Sequence, residues 1–530
     1  MIAISNYVAA QENSGLVFNY GEAYDGYTLF SPMNSTTTYL IDTSGYVISS
    51  WPSEYQPGMT AYLLDNGHLL RTSNIDLSLN STFAIGGSAG GMIQEFDIYG
   101  NVVWEYLYSA ETYHQHHDIE PMPNGNVLIL AYTSKTRDEA IDAGVESGKV
   151  SDHPFVLDHI VEIEKLGAND AEIIWEWHAW DHLIQHFDST KANYGIVEDH
   201  PEKISLDYYS GRLELTHANS IDYHPELDQI LISIHAFDEI WIIDHSTTTE
   251  EAASDSGGRY GKGGDILYRW GNPAAYKNET PEGRTLIKQH DARWITEEYG
   301  KDNILIFNNG GQLRDYSTII EMRPTIEEDG SYYYLPANEQ KDQVVWEYFA
   351  PDSISFYAQN ISGAMRLPNG NTFICAGPAG RFFEINQDNE IVWEYKNPYY
   401  ESNLASGPRR FQVARAEKYS LDHPGIQIII NSVTNVTEEN NHPIEYTLSQ
   451  NYPNPFNPVT HILFSVPHSG HTVMKVYDIL GKEVDILLNR HIEAGMHEVF
   501  WDARGMSSGI YFYTLTSEGT RITKRMLLLK

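Results

Sequence analysis

The sequence predicts an all-β chain: a six-bladed β-propeller followed by a small C-terminal immunoglobulin-like β-sandwich. Three observations carry this. A tryptophan-centred phrase recurs six times before residue 400, Asn-Gly turns recur between apolar alternating runs, and the charge balance changes near residue 441.

The first phrase is two β-branched residues followed by Trp-Glu and an aromatic residue. It reads Gly100-Asn-Val-Val-Trp-Glu-Tyr106, Ile173-Ile-Trp-Glu-Trp177, Val344-Val-Trp-Glu-Tyr348 and Ile391-Val-Trp-Glu-Tyr395, with weaker copies ending at Trp51 and Trp270. The spacings between these landmarks run from 47 to 95 residues, enough for about four short strands and an insertion in each unit. Units of four strands repeated around an axis make a β-propeller, in which radial closure leaves only short protected edges.

The second phrase is Leu64-Asp-Asn-Gly-His-Leu-Leu70, Met122-Pro-Asn-Gly-Asn-Val-Leu128 and Leu367-Pro-Asn-Gly-Asn-Thr-Phe373. Asn-Gly between alternating apolar runs is a hairpin signal, because both residues tolerate φ > 0. Only short helical segments are visible, such as 138–143 and 180–187.

The whole chain has 530 residues, 34 basic and 73 acidic side chains, a formal charge of −39, and one cysteine. From His442 onward there are eight basic and eight acidic residues, so residues 1–441 carry the whole imbalance. We expect four parts: an N-terminal segment at 1–24 that begins inside a signal peptide, the propeller at 25–431, a polar linker at 432–445, and the sandwich at 446–530. Val8-Ala-Ala10 before Gln11 has the small residues of a cleavage site, without a charged n-region or a full apolar core.

So negative a chain repels nucleic acid and anionic membrane surfaces, whose binding is carried by clustered Lys and Arg. Neither partner is expected, nor membrane insertion, since no apolar run is long enough to span a bilayer. Cys375, in the apolar run Thr372-Phe-Ile-Cys-Ala376, reads as an inert buried thiol, and a single cysteine forms no intrachain disulfide.

After the proline-rich Asn451-Tyr-Pro-Asn-Pro-Phe-Asn-Pro458, short strands are expected at 461–466, 471–477, 496–501, 510–516 and 522–529. Together with Val476-Tyr-Asp-Ile-Leu-Gly-Lys-Glu-Val484, Ser508-Gly-Ile-Tyr-Phe-Tyr513 and the ending Lys524-Arg-Met-Leu-Leu-Leu-Lys530, this tail closely resembles the C-terminal sorting domain of the type IX secretion system. The resemblance implies export through periplasm and outer membrane, to the medium or the cell surface, with the secretion machinery as partner.

Histidines hold the candidate chemistry. His117 in His114-Gln-His-His-Asp-Ile119, His217 in Thr216-His-Ala-Asn-Ser-Ile221 and His290 in Gln289-His-Asp-Ala-Arg-Trp294 each begin a run leading into a strand. Equivalent places in three successive blades converge on the axis. Residue types alone leave three options: a zinc site, without a carboxylate that repeats beside all three; a structural role; or nucleophilic and acid–base catalysis.

Residues 90–400 also resemble the bacterial aryl sulfate sulfotransferase family. The resemblance rests on His117-Asp-Ile with Pro123-Asn-Gly-Asn126; Trp175-Glu-Trp-His-Ala-Trp-Asp-His-Leu183; His217-Ala-Asn-Ser-Ile-Asp-Tyr223; Gln289-His-Asp-Ala-Arg293 with Ile306-Phe-Asn-Asn-Gly310; and Gly380-Arg-Phe-Phe-Glu384. It implies transfer of a sulfuryl group from an aryl sulfate to a phenol without a nucleotide donor, a cofactor or a metal.

By position, the family's transiently sulfated histidine matches His290, and its supporting residues match His117, His217 and Asn219. His116 is the neighbouring alternative to His117. Where the family usually has an arginine, this chain has His235, and we expect Arg293, Arg314 or Arg381 to supply the missing charge. Tyr113, Trp177, Trp180 and Trp294 are candidate aryl contacts. The alternative reading is a secreted propeller binding protein that has lost catalysis.

Overall fold

In the computed structural model, six antiparallel sheets and a short parallel pair, Leu183–Ile184 with Ile204–Ser205, lie in the first of two compact units, 1–429, and two more sheets in the second, 430–530. The structure describes residues 15–75, 81–85, 89–276, 283–440 and 446–529, apart from 328, 334–338, 353–354, 406, 449–450, 452–453, 455, 457 and 493. The expected signal peptide cleavage site lies outside the described residues.

Each of the six sheets holds four strands in simple up-and-down order, and one of them gains a fifth strand at an edge. The inner strands are Pro57–Leu63, Tyr113–Pro121, Ala218–His224, His290–Trp294, Gly363–Arg366 and Val413–Ser420. Each touches the next, and Val413–Ser420 touches Pro57–Leu63, so contact runs in a closed cycle. Closure uses both ends of the unit: Val413–Ser420 pairs with Gly26–Pro32, completing a sheet with Thr37–Ile41 and Val47–Pro52.

The six landmark tryptophans all lie in fourth strands: Val47–Pro52, Val102–Leu107, Asp170–His178, Tyr268–Trp270, Val344–Tyr348 and Ile391–Lys396. The repeat has a physical cause. Trp51, Trp104, Trp270 and Trp393 donate their indole N–H to the carbonyls of Asp97, Asp170, Gln340 and Thr43 at 2.8–3.1 Å, and Trp175 donates to Thr247 Oγ1 at 3.1 Å. Each acceptor lies where the third strand of a neighbouring sheet leads into its fourth. Trp346 instead carries the Arg366 guanidinium over its ring, 4.6 Å from the centroid.

The Asn-Gly phrases do form turns, with one difference in mechanism. Gly67, Gly125 and Gly370 have φ of 82°, 90° and 85°, whereas the asparagines stay at negative φ. Asn66, Asn124 and Asn369 instead accept the N–H two residues on through Oδ1, at 2.9–3.1 Å. This is an Asx turn closed by one left-handed glycine.

Two expected boundaries differ. Gly15–Asn19, placed in the N-terminal segment by sequence, pairs with Ile391–Lys396 and covers the backbone groups of that edge. The stretch expected as a linker from 432 is entered by the helix Pro424–Asn440, which buries Ile426 and Ile429 and opens with proline at a position that needs no N–H donor.

In the second unit, Thr447–Leu448, Val459–Val466 and Gly495–Asp502 form one sheet. Glu483–Ile492, Gly470–Asp478, Gly509–Ser517 and Thr520–Leu528 form the other. Ile462, Phe464, Met474, Val476, Trp501, Tyr513 and Met526 make its core. The strand Glu483–Ile492 adds to those expected from sequence; only Leu488 and Ile492 are buried and Ile486 is exposed, so no alternating apolar pattern marks it. Among the described residues no helix is long and apolar enough to cross a membrane.

Candidate functional site

Several inner strands carry a positive-φ residue within them or directly before them. His117, His217 and Asp291 have φ of 52°, 51° and 50°, and register shifts fall beside them. Side chains then tie each inner strand to the next: Asp118 accepts from Ile221 N–H at 3.1 Å, Ser220 from Ala292 N–H at 3.0 Å, and Asp291 from Ala364 N–H at 2.9 Å. This ladder aligns His117 with Asn219 and His290. His217 sits two residues earlier, so the three histidines do not occupy equivalent places as the sequence spacing implies.

They nevertheless meet. Ring centroids run His116, His117, His217, His235, His290 in a string with steps of 5.0, 5.1, 4.9 and 5.4 Å. His117, Asn219 and His290 line one small cavity with Thr60, Ser362 and Arg415. His116 is fully buried behind His117, so His117 is the one of the two that faces the cavity.

His290 is held from one side. Its Nδ1 lies 2.8 Å from Asn309 Oδ1 and 3.2 Å from the carbonyl of Lys288. Asn309 Nδ2 donates to the carbonyls of Ala358 and Ile361, which turns Oδ1 toward the imidazole. Two acceptors at Nδ1 place the proton there and leave Nε2 with its lone pair. Burial, against the Asn309 hydrogen bond, depresses His290 to about 4, so the ring is neutral at pH 7.

The predicted arginines lie elsewhere. Arg293 grips Asp291 and Glu417, Arg314 donates to the carbonyls of Tyr316 and Asn308, and Arg381 pairs with Glu394 at 2.7 Å. None lines the histidine cavity. The cation there is Arg415, which donates to Asp118 at 2.8 Å and meets Asp291 at 3.1 Å. Sequence reasoning missed it because it lies on the strand that closes the cycle. His235 is pushed well below the usual imidazole range by burial and by His217 and His290, so it does not replace a permanent cation.

Arg415 also lines a second cavity of about 190 Å³ with Tyr62, Glu120, Asp222, Arg293 and Trp294. Burial and the neighbouring Asp222 and Asp118 push Glu120 up, and burial pushes Asp222 to about 6. Of the expected aryl contacts, Trp294 lines this cavity, Trp177 is core and donates to the Gly264 carbonyl, Trp180 lies under Lys135, and Tyr113 packs on Tyr108. Cys375 is buried and its thiol is pushed well up by burial. Among the described residues no three His, Cys, Asp or Glu side chains are placed to hold a metal.

Together the sheets and the cavity define an all-β protein with a neutral, oriented histidine beside a buried cation. The family model described as Arylsulfotransferase (ASST) matches residues 13–415, and the chain belongs to that family, a family of sulfotransferase-type enzymes. The model described as a secretion system C-terminal sorting domain matches residues 450–529. That tail marks the chain for export through periplasm and outer membrane, to the cell surface or the medium.

No curated protein matches the chain. Similar solved structures include a protein of unknown function from Bacteroides caccae, at 10% identity over 74% of this chain and 98% of that one, TM-score 0.39. Another is virginiamycin B lyase from Staphylococcus aureus, at 12% identity over 74% and 87%, TM-score 0.34.

Proposed function

We propose that the chain moves a sulfuryl group from an aryl sulfate to a phenolic acceptor by a ping-pong mechanism through a sulfohistidine at His290. The observation that carries this is the Asn309 bond to His290 Nδ1, which leaves a nucleophilic Nε2 in a cavity with Arg415 and Asn219. Nε2 attacks sulfur, the S–O bond to the aryl group breaks, and the phenolate leaves with a proton from a neighbouring histidine. The acceptor phenol then gives its proton to a histidine and takes the sulfuryl group. Arg415, the Asn219 amide, His117 and His217 balance the charge on the sulfuryl oxygens.

In the same reading the six sheets are the blades of a six-bladed propeller, supported by the cyclic contact of inner strands. The second unit is an immunoglobulin-like sandwich that serves as the sorting domain.

The test is release of a chromogenic phenol from its sulfate ester, with and without a phenol acceptor, by wild type and His290→Ala. Release stimulated by acceptor and lost in the variant supports the reading. Binding of the ester without turnover supports a binding protein instead.

A further inference from the structure

Behind His117 lies a buried row of polar groups that the transfer step does not use. His116 Nδ1 is 2.8 Å from His117 Nδ1, and His116 Nε2 is 2.8 Å from Asp158 Oδ1, a charge contact whose angle is not that of a hydrogen bond. His116 is 0% exposed, Asp158 2% and His117 4%. The other Asp158 oxygen is taken: Oδ2 accepts from Thr216 Oγ1 and, at 2.8 Å, from the Ala218 N–H. Tyr132 stacks on the His116 ring with centroids 3.5 Å apart. Carboxylate and ring are thereby fixed from two sheets.

Two facing Nδ1 atoms share one hydrogen, so the protonation of one ring dictates that of the other. With Nδ1 engaged, Nε2 is the nitrogen that His117 has left for the cavity it lines. Groups facing the pair are Asp158, Tyr132, His217, His235 and His290, with Glu214 one step further out against His217.

We propose that Asp158, His116 and His117 form a proton relay that serves both half-reactions, a proposal that rests on the sulfotransfer reading. The relay starts as the anionic donor enters and a solvent proton leaves His116 protonated on both nitrogens; burial works against this charge and Asp158 works for it. When the S–O bond breaks, its electron pair goes to the aryl oxygen, which takes the Nε2 proton of His117. His117 Nδ1 takes the Nδ1 proton of His116. His116 is left neutral, protonated at Nε2 beside Asp158. In the second half-reaction the acceptor O–H proton goes to His117 Nε2, and the Nδ1 proton returns to His116. The acceptor oxygen forms the new S–O bond, the S–N bond breaks, and its pair returns to His290 Nε2. The two half-reactions together return the relay to its starting protonation, and the extra proton goes back to solvent as the sulfated product leaves. Asp158 and His116 are positioning residues, acting through His117.

The test compares two donors, 4-nitrophenyl sulfate, whose phenolate leaves readily without a proton, and phenyl sulfate, whose phenolate has a pKa of about 10. In Asp158→Asn and His116→Gln, kcat/KM for phenyl sulfate falls about 100-fold and that for the nitrophenyl ester less than about 10-fold. An equal loss with both esters overturns the relay alone. A wild type that turns over neither ester overturns the sulfotransfer reading and the relay with it. A further measurement needs no variant: the wild-type rate on phenyl sulfate in mixtures of light and heavy water. Two protons in motion give a curved dependence on deuterium fraction, and a straight line overturns the relay.

Discussion

Asn309 Oδ1 accepts from His290 Nδ1 at 2.8 Å, and this one bond fixes the tautomer of the candidate nucleophile. Asn309→Ala frees the ring to carry its proton on either nitrogen. We expect kcat/KM to fall about 10- to 100-fold, the cost of one buried hydrogen bond, with donor KM little changed. Steady-state kinetics on a chromogenic ester, beside a melting curve to show that the variant folds, checks this.

Arg415 is the cation of the histidine cavity, whereas Arg381 is tied to Glu394. Arg415→Lys keeps the charge and loses the planar fork, so kcat/KM for an aryl sulfate falls about 10-fold or more. Arg381→Lys stays within about 2-fold, since it keeps a cation beside Glu394 and touches nothing in the cavity. Parallel kinetics of the two variants decide between them.

His245 joins two sheets through Asp228 at 2.7 Å and Glu162 at 3.0 Å. Burial works against its charge, and the two carboxylates outweigh burial and lift it to about 9. A raised folded pKa adds stability that is fully present below the unfolded value of 6.5 and is lost as pH rises through about 9. The stability gap between wild type and His245→Gln is then on the order of 3 kcal/mol at pH 6 and shrinks toward pH 10. Urea unfolding across that range measures it.

Trp393 donates to the Thr43 carbonyl at 2.8 Å and so pins the last sheet to the first. Trp393→Phe removes this bond and some core volume, at about 1–3 kcal/mol. Trp346→Phe loses less, since Trp346 is partly exposed and meets its neighbour through Arg366. Thermal unfolding of both variants gives the order.

Much of this was legible in the sequence, for physical reasons that differ by element. The tryptophan phrase marks fourth strands because each indole must reach a neighbouring sheet, and the Asn-Gly phrase marks turns because a glycine must take positive φ. His290, His117 and Asn219, which line one cavity, stand in recognisable local phrases. Arg415 does not, since nothing near it in sequence tells that its strand closes the cycle. Nor does Asp158, whose meaning depends on His116, 42 residues away in sequence but 2.8 Å away in space. The offset of His217 is hidden for a similar reason: strand registers are set by bonds between sheets.

The proposed ping-pong transfer turns on a covalent intermediate on one nitrogen of one histidine. The direct measurement is mass spectrometry of the protein quenched after mixing with an aryl sulfate in the absence of acceptor. We expect a sulfuryl group on the peptide containing His290, absent from His290→Ala and discharged when a phenol is added. A sulfuryl group on another residue, or turnover by wild type with none on His290, contradicts it.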